Sequence, residues 1–124
     1  MSRITVRTRN SEYAGELDSS DISNEIWLSL PFKADINMLG SQIYFSMPLE
    51  SDAVGDTTVL EKGDIAYWPK ADAFCIFFGP TPLSGDDLRP VSSFPVKVIG
   101  RIIGDCSSME NAGDRMPITL ERAF

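Results

Sequence analysis

Residues 63–83 read G-D-I-A-Y-W-P-K-A-D-A-F-C-I-F-F-G-P-T-P-L. Phe74 to Phe78 is the densest apolar run of the chain, and Gly79-Pro80 cuts it off sharply. A short apolar run bounded by turn residues reads as a buried strand, here ending in a stiff loop. Ile65 to Trp68 is a shorter strand stopped by Pro69, and Lys70-Ala71-Asp72 turns the chain between the two.

Working upstream, Arg3 to Thr8 alternates polar and apolar residues, Arg9-Asn10-Ser11 is a turn signal, and Glu12 to Leu17 returns with Tyr13 and Leu17 facing inward. This pattern predicts an N-terminal hairpin. Asp18 to Asp21 offers several helix caps; Ile22, Ile26, Trp27 and Leu30 then share one helical face, and Pro31 ends the helix. That apolar face reads as a lid over one end of a barrel. Phe32 to Met38 and Gln42 to Met47 flank Leu39-Gly40-Ser41 and predict a second hairpin, with Ile43 and Phe45 on one face and Gln42, Tyr44 and Ser46 on the other. Ser51 to Thr58 reads as loop.

Downstream, residues 79–95 are rich in Gly, Pro, Ser and Asp, with only Leu83, Leu88 and Val91 as anchors. A loop of that length is either functional or disordered. Val96 to Ile103 is a further strand whose central Gly100 signals a bulge or bend. A polar loop follows, with one helical turn near Ser108 to Ala112, and Ile118 to Arg122 closes the chain as a strand. About eight strands with one or two short helices make an all-β fold. A closed β-barrel is expected because closure removes exposed strand edges. No repeat or linker appears, so residues 1–124 read as one domain.

Composition excludes several functions. A net charge of −7 argues against phosphate-backbone binding, so nucleic acid is not an expected partner. No apolar run is long enough to span a membrane, and the N-terminus has no apolar core of a signal peptide, so a cytoplasmic location is expected. The two cysteines, Cys75 and Cys106, read as free thiols. Histidine is absent, which removes Ser-His-Asp and Cys-His catalysis and His-ligated zinc. Without a histidine partner Cys75 reads as an inert buried thiol rather than a nucleophile. Asp64 after Gly63 reads first as a turn residue. The scattered Asp86, Asp87, Asp105 and Glu110 lack calcium-loop spacing, so no metal site and no cofactor are expected.

Four segments carry a family resemblance. Gly40 to Pro48 resembles G-x-x-I-Y-F-S-x-P, Gly63 to Pro69 is similar to G-D-x-x-Y-W-P, Phe74 to Pro82 resembles C-[IL]-F-F-G-x-T-P, and Pro95 to Ile102 is similar to P-V-x-V-I-G-K-I. These are patterns of the cyclophilin-like domain family of small bacterial and archaeal proteins, and their order and spacing hold from about Asp21 to the C-terminus. One departure is Pro69-Lys70-Ala71-Asp72-Ala73, where members often show P-P-G-x-A. The resemblance implies a β-barrel like that of the cyclophilins, the peptidyl-prolyl isomerases. In true cyclophilins a strand similar to Ile76-Phe77-Phe78 carries the phenylalanine of the proline pocket, and Val98-Ile99-Gly100-Arg101 is similar to their V-F-G-K strand.

Isomerisation needs a donor to the imide nitrogen, which cyclophilins supply with an arginine. Residues 31–48 hold no arginine and one cation, Lys33, leaving Arg89 and Arg101 as candidates. The leading expectation is therefore a binding module that holds a small ligand or extended peptide in an aromatic groove of the barrel. Tyr44, Trp68, Phe77 and Phe78 would form its wall, and Gln42, Asp64 and Arg101 its polar pins. By strand alternation one of Phe77 and Phe78 is core. Weak prolyl isomerase activity is the alternative, and an accessory role in a larger enzyme a third. The expected partner is a small molecule or a proline-containing peptide, with the chain a monomer or weak homodimer.

Overall fold

The computed structural model describes residues 2–124. Its strands are β1 (Ser2–Thr8), β2 (Glu12–Leu17), β3 (Phe32–Asp35), β4 (Asn37–Leu39), β5 (Gln42–Ser46), β6 (Thr57–Val59), β7 (Asp64–Trp68), β8 (Ala73–Phe77), β9 (Val91–Ile103) and β10 (Pro117–Arg122). One α-helix, α1 (Asp21–Ser29), follows β2, and single 3-10 turns occupy Pro69–Ala71 and Ser107–Asn111.

The apolar run that anchors the sequence reading becomes β8, with every residue buried. It lies between β7 and β5, pairing Ile76 with both Ile65 and Ile43, and Phe74 with Tyr67 and Phe45. The full order is β3-β10-β1-β2-β9-β7-β8-β5-β4, with β6 paired to β9 off that path, and every pairing is antiparallel.

The sheet is open, which corrects the expected closed barrel. Its terminal strands, β3 and β4, are separated in the chain by Ile36 alone, yet they do not pair with each other. Residues 32–38, expected as one strand, split at this point: β3 joins β10 and β4 joins β5. Ile36 is fully buried; its N–H donates to Met116 O at 2.8 Å and its carbonyl accepts from Arg115 N at 2.7 Å. The Met38 N–H donates to the Asp114 carboxylate at 2.9 Å. Loop residues thus satisfy the backbone groups that a closing ladder would have used. Side chains bridge the ends instead: Phe74 stacks on Phe45 (5.2 Å between ring centroids) and Phe45 on Phe32 (6.1 Å).

The N-terminal hairpin forms as the alternation predicted, with Val6 opposite Tyr13 and Ser2 opposite Leu17. Helix α1 also forms, capped by the Ser20 hydroxyl accepting from Ser23 N. It packs Ile22 and Ile26 onto the main core rather than over a barrel mouth. Trp27 is only partly buried; its ring edge meets Phe124 and lies 5.5 Å from the Arg122 guanidinium carbon.

Gly100 marks two things. Ile65 pairs with Gly100 and Ala66 with Val98, so Ile99 is the extra residue of a β-bulge. At Gly100 itself the β2 backbone comes so close that a Cβ would collide with the Glu16 carbonyl. The Ile99 carbonyl accepts from Asp18 N at 2.7 Å, which ties the start of the helical connection to the bulge.

Strand β6 was not expected; Ser51 to Thr58 reads as loop because Thr57 to Val59 is too short for alternation to show. It pairs with the first half of β9. Leu60, Ala66, Ala73, Cys75, Phe77 and Val96 form a second, smaller core, with Tyr44 and Trp68 packed against it. The middle strands are therefore buried on both faces, which explains the unbroken apolar run. Both cysteines are free and buried. Among the described residues no helix is long and apolar enough to cross a membrane.

Candidate functional site

The seven residues singled out from the sequence fall in three places. Gln42, Tyr44 and Trp68 line a small cavity of about 50 Å³ with Leu39, Ser92, Ser93 and Phe94. Tyr44 meets Trp68 edge to face at 6.0 Å, and Phe94 stacks flat on Trp68 at 5.1 Å and 18°. Phe77, fully buried, lies in the smaller core on that side. Asp64 and Arg101 are direct cross-strand partners of β7 and β9, and they line a shallow cleft of about 310 Å³ with Glu16, Asp18, Val98 and Gly100. Phe78 faces the main core and also walls the largest cleft. Phe77 and Phe78 thus point to opposite faces, as alternation requires, and both are buried.

That largest cleft, of about 500 Å³, lies between the turn before β7, loop 79–90 and the 3-10 turn Ser107–Asn111. Its apolar wall is Phe78, Pro80, Leu88 and Pro90; Glu61, Asp87 and Glu110 supply negative charge, and Lys62 and Arg89 positive charge. Arg89 pairs with Glu61, and Lys62 Nζ donates to Ser107 Oγ at 2.7 Å.

Loop 79–90 is built rather than slack. The Thr81 hydroxyl donates to Val91 O at 2.5 Å and accepts from Leu83 N at 3.4 Å. The Ser84 hydroxyl accepts from Thr81 N at 2.9 Å and donates to Arg89 O at 2.6 Å. Arg89 N donates to the Asp87 carboxylate at 3.1 Å. This cross-linking holds Leu88 in the left-handed region at φ 59°, while its side chain remains 63% exposed at the cleft. A leucine rarely adopts that conformation, and such residues concentrate at functional sites.

Burial pushes the Asp64 carboxyl above its ordinary value, although a hydrogen bond from Glu61 N opposes the shift. Burial likewise raises the Cys75 thiol to about 12. Tyr67, raised to about 12 by burial, donates to Met47 O at 2.9 Å and acts as a structural link. No group of three or more His, Cys, Asp or Glu positioned to hold a metal occurs among the described residues.

Glu61, Lys62, Pro80 and Leu88 escaped the sequence reading as site residues. The signal available was the length of loop 79–95 with an isolated Leu88 among polar neighbours; only packing shows that this leucine is held outward.

Comparison with curated proteins gives no match. Among solved structures the chain is similar to the solution structure of a hypothetical protein from Archaeoglobus fulgidus, with a TM-score of 0.78 and 35% sequence identity. That likeness covers 98% of this chain and 95% of the archaeal one. The family model described as Cyclophilin-like matches residues 2–121, nearly the whole sequence. With this coverage, and with the four sequence patterns lying on β5, β7, β8 and β9 of one sheet, the chain belongs to the Cyclophilin-like family.

Proposed function

We propose that this protein is a binding module whose site is the Phe78–Leu88 cleft, and that it takes a small ligand or a short extended peptide. The observation that carries the reading is the exposed Leu88 held at φ 59° over a cleft of about 500 Å³. Ligand sites usually occupy roughly 300–1,000 Å³, mostly apolar with a few oriented polar groups. Phe78, Pro80 and Pro90 provide the apolar surface, and Arg89 and Lys62 the donors. Because the loop is hydrogen-bonded internally, little ordering would be required on binding.

The test is titration of ¹⁵N-labelled protein with a fragment set of small acids, amines and prolyl dipeptides. Amide shifts clustered at residues 61–62, 78–79 and 87–89 are expected. Absence of shifts there throughout the set would overturn the assignment.

Weak prolyl isomerisation draws on the same cleft, because Phe78 and Arg89 both line it. The barrier to rotation is about 20 kcal/mol, set by amide resonance. A ring-gripping wall with a donor to the twisted imide nitrogen lowers it by binding the twisted state best. In a protease-coupled proline-peptide assay, acceleration lost in both Phe78→Ala and Arg89→Ala would support this reading. No acceleration at high protein concentration would rule it out.

A further inference from the structure

The charges around the Phe78–Leu88 cleft are unequally answered. Three carboxylates line it, Glu61, Asp87 and Glu110, against two cations, Lys62 and Arg89. Both cations are already engaged. The Arg89 guanidinium pairs with the Glu61 carboxylate. Lys62 Nζ donates to Ser107 Oγ at 2.7 Å. It also acts on Asp105, whose carboxyl is held below its ordinary value by hydrogen bonds from Ser107 and by the Lys62 charge.

The other two carboxylates have no such counterpart. None of the ion pairs among the described residues involves Asp87 or Glu110. Asp87 Oδ1 accepts from Arg89 N at 3.1 Å, and a carboxylate has capacity for several more donors. Asp87 belongs to loop 79–90 and Glu110 to the 3-10 turn Ser107–Asn111, so they stand on different walls of the cleft. The chain as a whole carries a net charge of −7, and its field adds to the local excess. An anionic ligand would have to draw Arg89 from Glu61 and then face all three carboxylates. A neutral ligand would gain nothing from the excess.

We propose that the cleft takes a cation: a primary ammonium on an apolar body, its charge answered by Asp87 and Glu110 and its body resting on Phe78 and Leu88. The proposal rests on the reading of this cleft as the binding site. Burial of the apolar body supplies affinity, and the unanswered carboxylates supply the choice of charge. Arg89 and Lys62 keep spare N–H groups, so a carbonyl on the same ligand can still be met.

The probes are 2-phenylethylamine, 2-phenylethanol and 3-phenylpropionate, which share a ring and a short chain and differ in charge. Binding is read from the amide signals of ¹⁵N-labelled protein at the cleft. The amine should bind at least ~5-fold more tightly than the alcohol, with the acid weakest. Asp87→Asn removes the charge and keeps an acceptor for Arg89 N. It and Glu110→Gln should each lower the amine-to-alcohol preference by ~2-fold or more, with alcohol binding unchanged. Added salt should lower the same preference. Nα-acetyl-lysine methylamide, set against its norleucine counterpart, presents the ammonium on a peptide. Whichever of it and phenylethylamine binds more tightly distinguishes a peptide side chain from a free amine as the source. Equal binding of amine and alcohol, tighter binding of the acid, or an amine preference unchanged in both variants would overturn the proposal and leave the site standing. No shift at the cleft with any of these probes would remove the site and the proposal together.

Discussion

The Arg89 guanidinium donates to the Glu61 carboxylate at the rim of the Phe78 cleft, joining loop 79–90 to the turn before β7. Both side chains are largely exposed, so the pair contributes little to stability, within about 1 kcal/mol. Glu61→Gln should leave the urea midpoint nearly unchanged. Leu88→Gly should raise stability by ~0.5 kcal/mol, because glycine relaxes the left-handed residue and little buried surface is lost. The same change should weaken binding at the cleft. A drop in unfolding free energy for Leu88→Gly would show that its conformation is not strained.

Glycine positions separate close approach from open space. At Gly100 an added Cβ runs into the Glu16 carbonyl, and both β2 and β9 would have to part. Gly100→Ala should cost more than about 2 kcal/mol in denaturant unfolding. Gly85 has nothing within 4 Å and no positive φ, so Gly85→Ala should be neutral or stabilising by roughly 0.5 kcal/mol. Similar values for the two variants would contradict the packing described at the bulge.

Acid should act through Glu25. Its carboxylate accepts from the Ser51 hydroxyl at 2.6 Å and from the backbone N–H groups of Glu50 and Ser51, and these bonds hold its pKa below the ordinary 4.5. A carboxylate depressed on folding stabilises the native state above its unfolded pKa, and that contribution fades as pH falls through the folded value. Unaltered protein should exceed Glu25→Gln in stability at neutral pH. The gap should shrink steadily below about pH 4.5, as thermal unfolding at several pH values would record. A gap independent of pH would remove the carboxylate from the linkage between α1 and the loop after β5.

Thiol chemistry should be silent in the native state. Cys75 is fully buried in β8 with its pKa raised to about 12, and Cys106 is 2% exposed with its pKa raised by burial. A thiol reagent at neutral pH should modify neither until denaturant is added, and then both. Rapid labelling of Cys75 without unfolding would mean that the second core opens readily.

The sequence reached far on the strands that carry strong patterns. Alternation over residues 3–17 is enough to place a hairpin, since one buried face imposes period two on both strands. The apolar run of Phe74 to Phe78 identified a buried strand, and the four motif segments identified the family. Gly100 announced the bulge because a strand-interior glycine has a local reason. The seven candidate residues were legible as residues worth a surface, but not as three separate places. Tyr44 and Trp68 share a face with Phe77, whereas Phe78 turns to the main core and the large cleft; one residue of register divides them.

By itself, the sequence determined the type of the strongly patterned elements and marked β8 as a buried strand, because these follow from local periodicity and composition, and its four motif segments carried the family. Tertiary structure alone decided that the sheet stays open, that Ile36 sends β3 and β4 to opposite ends, and that Phe94 covers Trp68. Those outcomes depend on which backbone groups find partners across long separations, as Ile36 does with Arg115 and Met116, and local sequence holds no trace of such a choice.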